Sequence, residues 1–361
     1  MNYELLTKVE PLEPSNIVFP KLGIDIHVVS DALTIGGFTI KWYGLIIMTG
    51  LVLALIYCFK RMRSFGLSND RAFDAVFAGF FGAIICARLY YVVMMWDDYK
   101  DDLKSIFAIR DGGLAIYGGL IGALIIGCIT AKIRKVKLPP LLDLAGMGFL
   151  IGQGIGRWGN FFNHECFGAN TDSIFGMSSG RIQSYLLKNA DSIYAQTGVT
   201  VDAYETVQPC FLYESTLCLL GFLILHLYSK HRKFDGELFL MYLGWYGLVR
   251  FFIEGMRTDS LMVGHIRISQ LVAGVCFVLS VCLIIGIRIH IKRVGDYVFY
   301  KDTEESQKFI EEQDKKEAAE KEKKASKKSE KETLRKEDRI TDDEPETNEN
   351  IKENDEHGTD N

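Results

Sequence analysis

Apolar residues arrive along this chain in long blocks separated by short polar stretches. Seven blocks stand out, at about 41–59, 71–95, 114–131, 141–156, 210–228, 237–255 and 267–287. A run of about 20 apolar residues is what crosses a hydrocarbon core about 30 Å thick. Each block is therefore predicted as a membrane-spanning helix, and the whole as an all-α polytopic membrane protein. The first 35 residues differ, mixing charge, proline and short alternating pieces. They lack the basic start and apolar core of a cleavable signal peptide, so the first span is expected to act as its own insertion signal.

The polar stretches between blocks set the orientation. Basic clusters follow every second span: "KRMR" (60–63), "KIRKVK" (132–137), "KHRK" (230–233) and "RIHIKR" (288–293). The loop at 97–112 between two of them is acidic on balance. Lysine and arginine next to spans are retained on the cytoplasmic side, which predicts an N-terminus outside and a C-terminus in the cytoplasm. The expected organisation is an extracytoplasmic segment (1–40), spans 1–4 (41–156), an extracytoplasmic head (157–209), spans 5–7 (210–290) and a charged cytoplasmic tail (291–361).

Composition sharpens the last of these. Residues 1–300 carry 27 Lys+Arg against 24 Asp+Glu, whereas 301–361 carry 14 against 22, so the net charge of −5 comes from the tail. With almost no aromatics and no hydrophobic period, the tail is expected to be disordered or frayed helix. Six of the eight cysteines lie in apolar runs, where Cys is a small hydrophobe. Cys166 and Cys210 fall near one surface; two packing thiols is the favoured reading over a disulfide. Gly148, Gly152 and Gly156 recur every four residues, and "YGGLIGALIIG" repeats the idea, as in closely packed membrane helices.

Charged groups in spans are costly and face a cavity or a partner. Arg88 lies within span 2, and Asp143 opens span 4. Arg157 and Asn160 close it on one helix face, and Glu214 begins span 5. In "GWYGLVRFFIEGMRTDS", Tyr246, Arg250 and Glu254 are spaced i, i+4, i+8 and so share a face, with Arg257 just beyond. The stacked Arg–Glu pair has a structural reading as mutual neutralisation. The topology, however, puts three such clusters (157–168, 208–214, 246–257) on one membrane face, where they can converge. Arginine offers a planar fork for phosphate oxygens, so the expected ligand is an anionic phospholipid headgroup. No metal-ligand spacing, HExxH or GxSxG occurs, and nothing points to a nucleic-acid partner. Two rival readings are a transporter, against which the lack of an internal repeat weighs, and another phospholipid-headgroup enzyme.

The stretch "GRWGNFFNHECFG" resembles the signature of the bacterial prolipoprotein diacylglyceryl transferases, G-R-x-G-N-F-x-N-x-E-x-x-G. Gly156, Arg157, Gly159, Asn160, Phe161, Asn163, Glu165 and Gly168 fill its fixed positions. "KWYG" with Tyr43, "CARLYYV" with Arg88, "GGLAIYGGLIG", "QPCFLYES", "YGLVRFFIEGMRTDSL" and "RISQL" extend the likeness over about 20–290, leaving the tail outside.

The resemblance implies a seven-span bundle in the bacterial cytoplasmic membrane with its site toward the extracytoplasmic face. It implies transfer of the sn-1,2-diacylglyceryl group of phosphatidylglycerol to the lipobox cysteine of a prolipoprotein, releasing glycerol 1-phosphate without metal or cofactor. Arg157, Asn160, Tyr246, Arg250 and Glu254 carry over as catalytic positions. Arg157, Arg250, Tyr43, Arg88, Asn163, Glu165, Gly168, Glu214 and Arg257 carry over as substrate-binding ones. Gly168 is expected where a side chain is excluded, and Glu254 to orient Arg250. Some members carry a histidine as proposed thiol base in the span 3 motif; Tyr117 stands there instead. His164 and His265 are the alternative bases.

Overall fold

All seven apolar blocks are helices in the computed structural model, which describes residues 8–28, 31–35, 38–108, 112–258, 262–263 and 266–341. In chain order these are α1 (Trp42–Arg61), α2 (Asn69–Met94), the single turn α3 (Trp96–Tyr99), α4 (Ile116–Ile133) and α5 (Leu138–Asn163). After α6 (Gly180–Thr197) come α7 (Cys210–Tyr228), α8 (Glu237–Met256), α9 (Ile268–Val294) and α10 (Glu304–Thr341). Five of them, α1, α2, α5, α7 and α9, are long and apolar enough to cross a membrane. The apolar α4 is shorter, and Arg250 and Glu254 lower the hydropathy of α8.

α5 is the central helix, packing on α1, α7 and α8, while α2 pairs with α4 and α8 with α9. Missing side chains set the spacing of those pairs. A Cβ on Gly118 would lie 2.5 Å from the Cys86 carbonyl, and one on Gly247 2.7 Å from that of Ala273. The stripe on α5 behaves differently. A Cβ on Gly148 would lie 2.8 Å from Cys58 Sγ, but one on Gly152 or Gly156 would meet nothing nearer than 3.9 Å. Those two glycines line an open cleft instead of a helix contact.

The head draws on more of the chain than its expected range. β1 (Asn16–Phe19) and β2 (Ile24–His27) form an antiparallel pair, and β1 also pairs with β5 (Ser178–Ser179) through Ile17↔Ser179 and Val18↔Ser178. Gln183 on α6 accepts from Leu12 N at 2.8 Å and donates to Glu10 O at 3.0 Å. The N-terminal segment is thus part of the head. The expected boundary at 156/157 falls inside α5, which runs on to Asn163 because its apolar face continues into Phe161 and the head core. That core joins Ile17, Phe161, Phe167, Met177, Leu186 and Phe211. Cys166 and Cys210 are buried within it and not joined by a disulfide. Two further hairpins complete the strands, β3 (Asp31–Ile35) with β4 (Phe38–Lys41) and β6 (Met262–Val263) with β7 (Ile266–Arg267).

A second core gathers Met62, Phe65, Leu144, Leu238 and Tyr300 at the other end of α5. Asp143, buried there, caps α8 from a neighbouring helix: its two oxygens accept from Gly236 N at 2.8 Å and Phe239 N at 2.9 Å. The four N-terminal amides of a helix lack internal acceptors, which gives this intramembrane acid a structural task.

Two units divide the chain, residues 1–310 and 311–361. Composition assigns both sides of that boundary to a solvated tail, but the start of the tail is packed. Tyr300 and Ser306 are buried, Ser306 Oγ donates to Gly66 O at 2.7 Å, and the Arg71 guanidinium lies 3.6 Å from the Phe309 ring centroid. Tyr300 and Phe309, two of the few apolar residues in this stretch, supply the surface that holds it. In the second unit, residues 311–341 are helical.

Candidate functional site

Three helices bring their ionic residues to one carboxylate. Glu214, in the first turns of α7, is fully buried. Its Oε1 accepts from Arg157 Nη2 on α5 at 2.6 Å and from Tyr246 OH on α8 at 3.1 Å; its Oε2 accepts from Arg250 Nη1 at 3.1 Å. One turn on, Glu254 accepts from Arg250 Nη2, and Arg257 stands 3.9 Å from the same carboxylate. Helical spacing produces this convergence: Tyr246, Arg250 and Glu254 share one face of α8, and that face meets α7 and α5.

The electrostatics follow from burial. A lone carboxylate at zero exposure is untenable, and two guanidiniums offset its desolvation. Three guanidiniums here face two carboxylates, with Arg157 and Arg250 on Glu214 and Arg250 and Arg257 on Glu254. Arg157 also reaches Asn160 Oδ1 at 3.4 Å, and Asn160 Nδ2 reaches the exposed Glu165 at 3.4 Å. The cluster is therefore open to an anion on the Arg157–Asn160 side.

That side is the polar end of a cleft of about 580 Å³ running along α5 between α1, α2 and α4. Its walls are apolar from Leu138 to Gly156 apart from Gln153, and they end on Tyr43, Arg157 and Asn160. Gln153 Nε2 donates to Tyr242 OH at 3.0 Å, while its buried Oε1 has no hydrogen-bond partner. Gly159 makes room for Tyr43, whose ring would lie 2.9 Å from a Cβ there.

Beyond α5 the backbone turns sharply. His164 sits in the left-handed region with φ 59°. His164 N donates to Phe161 O and Glu165 N to Asn160 O, the two bonds of a Schellman helix end. Gly168 then pairs with Arg257, and a Cβ on it would lie 2.7 Å from Met256 O. Close approach of two chains, with no positive φ, is what excludes a side chain at this position. Asn163 is the last residue of α5.

Several residues expected at the site lie elsewhere. Arg88 is buried, and its guanidinium donates to the carbonyls of Ser105, Ile106, Ala108, Gly112 and Gly113. With these carbonyls as partners it fixes the loop before α4, and it does not line the cleft that ends on Arg157. Tyr117, in the first turn of α4, is 64% exposed and does not line the cleft. His164 is buried with both ring nitrogens unpartnered; burial, reinforced by the charge of Arg181, lowers its pKa to about 4. An imidazole so weakly basic is a poor match for a thiol of pKa about 8.5. His265 lies outside the described residues. Among the described residues no group of three or more His, Cys, Asp or Glu side chains is placed to hold a metal ion.

Glu214 is the residue whose weight is hardest to read in one dimension. It stands alone in "QPCFLYES", and only the convergence of α5 and α8 makes it the acceptor for three donors.

The profile of a family described as prolipoprotein diacylglyceryl transferase matches residues 30–286. Proteins named phosphatidylglycerol–prolipoprotein diacylglyceryl transferase are similar to this chain. The one from Listeria welshimeri is 39% identical over 256 residues, 70% of this chain and 88% of its own. That of Clostridium novyi is 39% identical over 254 residues, 70% and 94%, and that of Limosilactobacillus reuteri 42% over 257 residues, 71% and 89%.

Proposed function

The chain belongs to the prolipoprotein diacylglyceryl transferase family, and from that membership and the geometry around Glu214 we propose the following reaction and topology. The enzyme moves the sn-1,2-diacylglyceryl group of phosphatidylglycerol to the lipobox cysteine of a prolipoprotein. Sulfur attacks the glycerol carbon that carries the phosphate; the S–C bond forms as the C–O bond breaks, and the electron pair leaves with glycerol 1-phosphate. The thiol proton passes to solvent. All seven apolar helices span the cytoplasmic membrane, with the N-terminus and the ionic cluster on the extracytoplasmic side.

One observation carries this reading: the apolar cleft ends on Arg157 and Asn160, and the Arg157 guanidinium there is held by the buried Glu214. Acyl chains fit the cleft, and the phosphate fits the guanidinium end. Charge builds on the leaving phosphate during C–O cleavage, and preorganised cations aimed at it are often the largest catalytic contribution. Glu214 and Glu254 position the two arginines, so little reorganisation is needed as charge develops. No step in this account calls on a metal or soluble cofactor.

Purified membranes supplied with phosphatidylglycerol and a lipobox peptide should release glycerol phosphate and yield a diacylglyceryl thioether. Arg157→Ala should reduce turnover by about 10²–10³-fold, the usual loss for one such donor. Wild-type turnover by that variant at normal protein level would refute the site.

A further inference from the structure

At the end of the bundle remote from Arg157, the chain builds a second two-part recess. Gly295 ends α9 with φ 116°, a value that favours glycine. The chain then turns back, and Tyr300 N donates to Asp235 Oδ2 at 2.7 Å. Between this return and the start of α8 lies a recess of about 760 Å³ lined by Arg232, Lys233, Arg288 and Lys292 with Phe299. It shares Ile291, Gly295, Asp296 and Tyr297 with a second recess of about 580 Å³, whose walls include Leu142, Phe239, Leu240 and Ile287.

Retention of positive charge on one side of a membrane explains exposed lysines, but it requires neither burial nor a shaped wall. Arg232 has both: its side chain is 8% exposed, stacked 4.0 Å from the Phe65 ring centroid, and its buried Nε makes no hydrogen bond. Asp235 offsets part of its charge at 3.4 Å, and Glu237 offsets Arg288, whose Nε is 2.7 Å away. The ammonium groups of Lys233 and Lys292 have no ion pair among the described residues. Against four cations in the basic recess stands one lining carboxylate, Asp296.

We propose that this recess binds an anionic phospholipid in a non-reactive site, its phosphate between Lys233, Lys292 and Arg232 and one acyl chain along Leu240 and Ile287. Basic pockets between membrane helices next to apolar surface suit phosphate headgroups. The lipid would brace α9, the least buried of the five long apolar helices, against α8.

The test is native mass spectrometry of the full-length enzyme with phosphatidic acid, which has no glycerol headgroup to leave. The wild type should retain phosphatidic acid over phosphatidylcholine. The K233Q/K292Q variant should hold it about 30-fold more weakly, the worth of two lysines at an anionic surface, with transfer from phosphatidylglycerol unchanged. Ile291→Trp, which fills the shared wall, should have the same effect. Equal retention by K233Q/K292Q, equal retention of phosphatidylcholine, or displacement by millimolar inorganic phosphate would each overturn the proposal. Arg157→Ala should abolish transfer yet keep this lipid, which separates failure of this site from failure of the proposed reaction.

Discussion

Glu214 shows how one side chain can organise a site, as the shared acceptor of Arg157, Tyr246 and Arg250. Glu214→Gln keeps its shape but removes the charge that gathers Arg157 and Arg250. Turnover should fall by about 10²-fold or more, and the variant should also unfold more readily, because two partly buried guanidiniums lose their shared counterion. Release of glycerol phosphate together with thermal unfolding in detergent would check both.

His164 makes the opposite prediction. Its native pKa near 4 lies below the unfolded value of about 6.5. The unfolded chain therefore takes up the proton first, and stability present above about pH 6.5 is lost as pH falls toward 4. His164→Asn, which tolerates the left-handed backbone, should flatten that loss in melting experiments. It should leave the dependence of turnover on pH unchanged between about pH 6 and 9; a shifted profile would restore His164 as a base. The signature showed a histidine among hydrogen-bonding neighbours, which made it look chemical. Its role as a helix end is a backbone property that side-chain chemistry does not announce.

At the scale of elements, apolar block length was a sufficient guide to the helices, because membrane thickness imposes it. Their contacts were only partly legible. The glycine stripe on α5 and that on α4 read alike in one dimension, yet one lines a cleft and the other closes a helix pair. Gly152→Leu should therefore leave the melting temperature nearly unchanged while slowing transfer from long-chain phosphatidylglycerol. Gly118→Leu should destabilise by several kcal/mol, since its Cβ has no room against Cys86. The reverse pattern would mean that the cleft is not where acyl chains lie. Arg88 marks a similar limit: a charge within an apolar block announces a buried partner, but whether that partner is substrate or loop carbonyls depends on how the 97–112 connection folds back.

For the molecule as a whole, the head was misjudged at its edges. Strand β1 is too short, and its partner β5 too distant in the chain, for local pattern to join them. Removing residues 8–28 should accordingly expose the head core and accelerate proteolysis within 164–209, measurable by limited digestion in detergent. Ending the chain after Ile310 should leave transfer intact, because the family match and every residue of the ionic cluster precede that point.

The ionic seam between α5, α7 and α8 also bears on how the protein is made. In the proposed topology α8 enters the membrane with Arg250 and Glu254 on one face near its end, and insertion scales put a charged residue at a helix centre at about 2.5–3.5 kcal/mol. A helix synthesised earlier, α7, already carries the counterion of Arg250, Glu214, which Arg157 of α5 holds in turn. In that topology the charges of α8 are neutralised by a helix made before it, so the seam bears on assembly as well as on reaction. Chains carrying both Arg157→Ala and Glu214→Ala should leave α8 outside the bilayer in a fraction of molecules, a defect that glycosylation mapping during synthesis would register before any enzyme exists to assay.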